Sequence, residues 1–183
     1  MHHKILFSGP VGAGKTTAIA SISDTAPVFT EARARDRTRL MKEHTTVAMD
    51  YGVMALDGGD KVHLYGTPGQ PRFDFMWDIL AEGGLGIILL IDNSDVGALR
   101  KLRLFLDAFG EVIRRTQLVV GVTKMDLSRV LSLEDYSRKV EEAGIRAPVL
   151  EADVRQRRDV AILIEALLYS IDPGLDGQGA EEP

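Results

Sequence analysis

The chain has 183 residues, no cysteine and a formal charge of −5, with 27 Asp and Glu against 22 Lys and Arg. That length suits one domain that buries most of its apolar surface, and the lack of thiols excludes disulfides, thiolate zinc sites and thiol catalysis. The acidic balance argues against non-specific nucleic-acid binding, which needs an extended basic surface to neutralise phosphates.

The start, Met1-His2-His3-Lys4, has no signal-peptide pattern, and no apolar run approaches the ~20 residues that span a bilayer. Residue 2 is not glycine and there is no cysteine to acylate or prenylate, so no direct membrane anchor is expected and the cytoplasm is the expected location. Lys4-Ile5-Leu6-Phe7-Ser8 reads as a buried strand, and Thr17-Ala18-Ile19-Ala20-Ser21-Ile22 as the continuation of a helix. Between them stands Gly9-Pro10-Val11-Gly12-Ala13-Gly14-Lys15-Thr16, which fits G-x-x-x-x-G-K-[ST] in the strand-to-helix context that such a loop requires. Glycines let backbone N–H groups of Val11, Gly12, Ala13, Gly14 and the residues after them turn around a phosphate, and the helix N-terminus at Lys15, Thr16 and Thr17 adds its dipole. Lys15 is placed to neutralise the outer phosphates, and the Thr16 hydroxyl is the expected magnesium ligand.

Asp24-Thr25-Ala26-Pro27 breaks the helix, and residues 28–45 show neither helical nor strand periodicity, a loop of functional length. Residues 46–56 and 61–65 flank Asp57-Gly58-Gly59-Asp60 as a β-hairpin. A second irregular stretch, Gly66-Thr67-Pro68-Gly69-Gln70-Pro71, leads into a helix of about ten residues that ends before Gly83-Gly84. The continuous apolar run 85–92 predicts a strand buried on both faces, and 117–122 predicts another, followed by Thr123-Lys124-Met125-Asp126. Helices are expected over 96–114, with Leu99, Leu102, Leu106 and Phe109 inward, near 133–143 and over 157–171, with a strand at 147–151. The Gly- and acid-rich tail 172–183 is expected to be disordered, leaving one phosphate-loop domain over 1–171. Alternating strands and helices imply an α/β fold: a six-stranded, mostly parallel sheet flanked by helices, with one antiparallel edge strand and the ligand at the carboxyl ends of the strands.

The phosphate loop, the Pro-Gly-Gln of 68–70 and the later Thr-Lys-x-Asp, in this order, resemble a Ras-like small GTPase over about residues 4–171. Leu64-Tyr65-Gly66-Thr67-Pro68-Gly69-Gln70 and the spacing of Thr46, Asp50 and Gly52 are most similar to the bacterial and archaeal polarity and gliding-motility (Mgl-type) GTPases. The resemblance implies GTP and GDP as ligands, Mg2+ as cofactor, slow hydrolysis of GTP, switch loops near 28–46 and 66–78, and a roadblock-type regulatory partner. Asp126 would accept guanine N1–H and the exocyclic amine, a donor pair that adenine lacks. Lys124 would pack along the base, and Thr123 stands where most members have asparagine. Glu151-Ala152-Asp153-Val154-Arg155 resembles the last base-reading motif, Val154 supplying an N–H to guanine O6; a plain strand-to-helix turn is the alternative. Thr46, with Thr45 as competitor, is similar to the switch I threonine that ligates magnesium, Gln70 to the switch II glutamine that orients water, and Gly69 would offer its N–H to the γ-phosphate.

Two departures stand out. Ras-like proteins carry Asp where this chain has Gly66; Asp50 and Asp92 are the candidate replacements, Asp92 reading better as a helix cap and Asp50 standing between a metal role and a strand-edge side chain. Val11 adds bulk where an inserted arginine would enter, so a cis arginine from Arg33, Arg35, Arg37 or Arg39 competes with a solvated face. Gly66 and Thr123 also keep open a non-hydrolysing nucleotide-dependent binding module, and, further off, a phosphate-loop kinase. Phe73, Phe75 and Trp77 read as packing residues before a partner patch, Arg155, Arg157 and Arg158 as a helix start, and His2, His3, His44 and His63 lack zinc-like spacing.

Overall fold

A computed structural model describes residues 2–29, 49–56, 58–69, 82–128 and 130–171. The switch candidates Thr45, Thr46 and Gln70, the arginines at 33–39, Phe73, Phe75 and Trp77, the helix expected before Gly83 and the tail 172–183 lie outside them. The strands are β1 (His2–Ser8), β2 (Val28–Phe29), β3 (Asp50–Ala55), β4 (Lys61–Gly66), β5 (Gly86–Asp92), β6 (Gln117–Thr123) and β7 (Val149–Glu151), in the sheet order β2-β3-β4-β1-β5-β6-β7. The six expected strands are present, with β3 the one that runs antiparallel to its neighbours, and the two-residue β2 extends the sheet beyond it.

Helices α1 (Lys15–Ile22) and α5 (Arg157–Ile171) cover one face, packing on Ile5, Phe7, Val62, Leu64, Ile88, Leu90 and Val119. Helices α2 (Ala98–Ala108), α3 (Gly110–Ile113) and α4 (Leu133–Glu142) belong to the opposite face, with Leu6, Ile87, Leu89, Ile91, Val120 and Val122. The alternation of β5 residues between the two clusters explains why its sequence is apolar without interruption. Truncating one such side chain to alanine costs about 2–5 kcal/mol against a total stability of about 5–15 kcal/mol, so the strand ends that carry the site are held firmly.

The helix expected over 96–114 is two segments. The backbone turns at Phe109 (φ −88°, ψ 6°), where the buried ring stays in the core while the short α3 restarts through a bond from Ile113 N–H to Phe109 C=O. Arg157 is more than a helix-start decoration. Its guanidinium donates to the Ile22 carbonyl and to Asp24, each at 2.7 Å, and Asp24 in turn accepts from Ala55 N–H at 2.8 Å, which ties the ends of α1 and β3 to the start of α5.

The carboxyl ends of the parallel strands β1, β4, β5, β6 and β7 gather on one edge, where the antiparallel β3 contributes its first residue, Asp50. Phosphate loop, 67–69 segment, Thr123–Ser128 and 152–155 therefore meet there.

Candidate functional site

The loop between β1 and α1 is shaped by its glycines. Gly9 has φ 137° and a Cβ there would stand 2.1 Å from the Leu90 carbonyl oxygen, so only glycine lets the chain leave β1 this close to β5. Gly14 caps α1 in the left-handed region with no side-chain cap, leaving the first N–H groups of the helix to an anion. Lys15 is 8% exposed and its ammonium donates to the carbonyls of Gly9 at 2.7 Å and Pro10 at 2.9 Å.

Burial lowers the Lys15 pKa to about 8, with Asp50 opposing the shift. Between pH 8 and the ordinary lysine value the unfolded chain still holds a proton that the folded chain has released. Stability of the nucleotide-free protein therefore rises with pH through that window, by up to about 1.4 kcal/mol per pH unit at its steepest from this one group. Urea denaturation from pH 8 to 10.5 checks it: Lys15→Met is expected to lose that component of the rise, and equal slopes in both proteins would refute it.

Beside Lys15, the Thr16 hydroxyl donates to Asp50 Oδ2 at 2.5 Å. Asp50 pairs with Gly66 across the β3–β4 ladder, and a Cβ on Gly66 would stand 2.9 Å from Asp50 Cβ and 3.1 Å from its Oδ2. The glycine at 66 is thus the space that the Asp50 side chain occupies. A hydroxyl donating into a carboxylate keeps its lone pairs for a cation, and Mg2+ binds through one or two such oxygens, phosphates and water, so these residues fit that ion. The 67–69 segment is anchored by Thr67, whose N–H donates to the Phe7 carbonyl and whose buried hydroxyl donates to Ser8 Oγ, both at 2.9 Å. Gly69 then lies on the phosphate loop: a Cβ there would meet Val11 N at 2.6 Å and Lys15 Nζ at 2.9 Å. Val11 itself is 69% exposed.

At the other end a cavity of about 570 Å³ runs from Gly12, Gly14 and Thr17 to Thr123–Leu127 and 151–155. Thr123 is buried, and its hydroxyl donates to the carbonyls of Ala13 at 3.1 Å and Ile91 at 3.3 Å, joining β6 to the phosphate loop. Lys124 holds a left-handed backbone (φ 58°) and sends its ammonium to Gly12 O at 3.1 Å and Asp92 Oδ2 at 2.6 Å. Asp92 is accordingly an anchor for Lys124 rather than a helix cap; α2 has no side-chain cap. Burial pulls the Asp92 carboxyl up, but the hydrogen bonds from Lys124 and Ser94 outweigh it and leave the group below its ordinary value.

Asp126 borders the cavity with its side chain 62% exposed, 3.8 Å from Arg155 Nη2. Arg155 is clasped by Asp153, to whose carboxylate it donates from Nε at 2.7 Å and Nη2 at 2.8 Å, and this lowers the Asp153 pKa. The reading of Arg155 as part of a helix start missed this pairing of two carboxylates through one guanidinium, because Asp126 is 29 positions away in the chain. Val154 is buried against Gly14, where a Cβ would stand 2.7 Å from Val154 Cγ2. Among the described residues no cluster of three His, Cys, Asp or Glu is arranged for a metal ion; His63 instead hydrogen-bonds His2 and Tyr51, each at 2.7 Å.

Residues 24–168 match the model of a family described as conserved hypothetical ATP binding proteins, a span that begins after the phosphate loop. The chain belongs to that family. A protein of Methanocaldococcus jannaschii, MJ1339, described as uncharacterized, is 29% identical over 50% of this chain and 51% of its own length, so the chain spans about half of that relative. The mutual gliding-motility protein MglA of Myxococcus xanthus is 23% identical over 78% of this chain and 77% of its own. The Ras-related protein SEC4 of Saccharomyces cerevisiae is 26% identical over 72% and 63%. Among solved structures, the G domain of the T. maritima FeoB iron transporter superposes with a TM-score of 0.64 at 17% identity, covering 92% of this chain and 98% of that one, and shares the fold. In sequence the chain is thus similar to Ras-like small GTPases, the MglA protein among them, and in fold to the FeoB G domain.

Proposed function

We propose that the chain binds GTP in this cleft together with magnesium, hydrolyses it slowly to GDP and phosphate, and acts as a switch. The observation that carries the reading is the alignment of a phosphate loop with a carboxylate, Asp126, at the far end of one cavity. In this reading the amides from Val11 to Thr17 and the Lys15 ammonium hold the phosphates. Thr16 and, beside it, Asp50 would hold the ion, Asp50 standing in for the aspartate that is replaced by Gly66. A magnesium ion held there would supply neutralisation of the charge on the phosphate oxygens. Lys124 lines the base with its stem, Val154 N–H addresses the base carbonyl, and Asp153 steers Arg155. Gly69 N–H would address the outer phosphate, Gln70 would orient the attacking water, and Thr46 would be a further residue holding the ion in the triphosphate state. Positioning and electrostatics supply the acceleration, so turnover without a partner is slow.

The family description names ATP, whereas Asp126 supports guanine: an aspartate beside the base can accept two donors from guanine, and adenine presents no such pair. The domain spans 1–171, works in the cytoplasm, and meets a roadblock-type regulator and effectors through its switch loops. The test is exchange of labelled GDP against GTP, ATP and xanthosine triphosphate, followed by single-turnover phosphate release with and without a candidate roadblock protein. Preference for guanine with measurable release supports the reading. Equal competition by ATP would overturn the base assignment, and no release above buffer in either case would leave a binding module instead of an enzyme.

A further inference from the structure

Asn93, the residue after β5, is 3% exposed, and three of its polar groups are engaged. Its N–H donates to the Thr123 carbonyl at 2.9 Å, its Nδ2 donates to the Ser128 carbonyl at 2.7 Å, and its Oδ1 accepts from the Tyr136 hydroxyl at 2.7 Å. Thr123 and Ser128 are the two ends of the segment that carries Lys124 and Asp126. One buried residue at the end of the neighbouring strand therefore closes the mouth of that loop, its backbone N–H holding the Thr123 end and its side-chain amide the Ser128 end, and a fully buried tyrosine on α4 fixes which way that amide points. The loop needs such closure. Lys124 sits in the left-handed region that non-glycine residues avoid, a conformation that persists only where the surroundings impose it.

We propose that Asn93 and Tyr136 are positioning residues that hold the Thr123–Ser128 loop so that Asp126 meets the 2-amino group of a guanine base, and thereby set purine selectivity and nucleotide residence time. The proposal rests on the base-reading role of Asp126 given above. Burial pushes the Tyr136 pKa up to about 12, so its hydroxyl remains a donor at any working pH. Removing that hydroxyl leaves the buried Oδ1 without its donor and frees the amide to turn. Placing a carboxylate at position 93 keeps the shape and the tyrosine's acceptor, but sets an oxygen against the Ser128 carbonyl.

The experiment measures dissociation and affinity of guanosine and inosine diphosphates for the wild type, Tyr136→Phe and Asn93→Asp. Inosine keeps N1–H, ribose and phosphates and lacks only the 2-amino group, so the ratio of the two isolates the contact that the loop must place. Guanosine diphosphate is expected to leave about fivefold faster from Tyr136→Phe and about thirtyfold faster from Asn93→Asp, with the guanosine-over-inosine preference reduced by similar factors. A network that only supports the fold would lower the melting temperature and leave that ratio untouched, and an unchanged ratio in both variants overturns the proposal. Should Asn93→Asp fail to fold, Tyr136→Phe, which keeps the buried ring, decides alone. A wild type that prefers neither nucleotide overturns the base assignment, and the proposal with it.

Discussion

Asp126→Asn is expected to lower GTP affinity by about 10² to 10⁴-fold and to make xanthosine triphosphate the better ligand. Each hydrogen bond to an ionised group contributes roughly 1.5–3 kcal/mol, and guanine would present two donors to this carboxylate; losing one, reducing the other to a neutral bond and opposing two donors together span that range. Asparagine offers one oxygen and one NH2. Against guanine the NH2 faces the exocyclic amine, donor to donor, whereas xanthine has a carbonyl there to accept it. Arg155, 3.8 Å from Asp126 and clasped by Asp153, keeps a positive charge at this end of the cavity in both proteins, so the change in preference reports the hydrogen-bond pattern. Competition of GTP and xanthosine triphosphate for a labelled diphosphate measures it. An unchanged GTP affinity would remove Asp126 from the base site.

The features legible in the sequence are contiguous: the phosphate loop, the apolar runs of β5 and β6, and the Thr-Lys-x-Asp after β6 carry their own context in neighbouring residues. The features hidden from it depend on register and distance. Thr123 looks like a poor substitute for asparagine, yet its hydroxyl reaches the Ala13 carbonyl, a contact between residues 110 positions apart. Asp92 has the look of a helix cap because its chain neighbours lead into α2, while the Lys124 ammonium that it binds is delivered by the adjacent strand. Asn93 and Tyr136 are residue types with no signature at all; only the packing of α4 against the end of β5 turns them into a pair. The break at Phe109 lay hidden because its ring keeps the helical spacing of the buried face while the backbone departs from it. The spacing of Thr46, Asp50 and Gly52 pointed to the right strand, but whether Asp50 lies at the cation end or merely at the strand edge hinges on the one-residue register that sets it opposite Gly66.

That register makes the second large effect testable. Asp50→Ala is expected to speed nucleotide dissociation about 10- to 100-fold in the presence of magnesium and to leave it nearly unchanged in EDTA, because in the proposed site the carboxylate would support the ion by orienting the Thr16 hydroxyl that donates to it, and losing such support typically costs that much in metal affinity. Gly66→Asp alone is expected to fail, since its Cβ would stand 2.9 Å from Asp50 Cβ and 3.1 Å from Ile19 Cδ1, and two carboxylates would crowd one Thr16 hydroxyl. Exchanging the pair, Asp50→Gly with Gly66→Asp, empties the space on β3 and moves the acid to the facing position on β4, still beside Thr16. The double variant is therefore expected to recover most of the magnesium dependence that either single change destroys, a coupling that independent sites would not show. Dissociation of labelled GDP with and without EDTA in the four proteins gives the result directly. If the double variant behaves as the sum of the two single ones, Asp50 is an ordinary strand-edge side chain, and the ion is held by some other oxygen of the cleft.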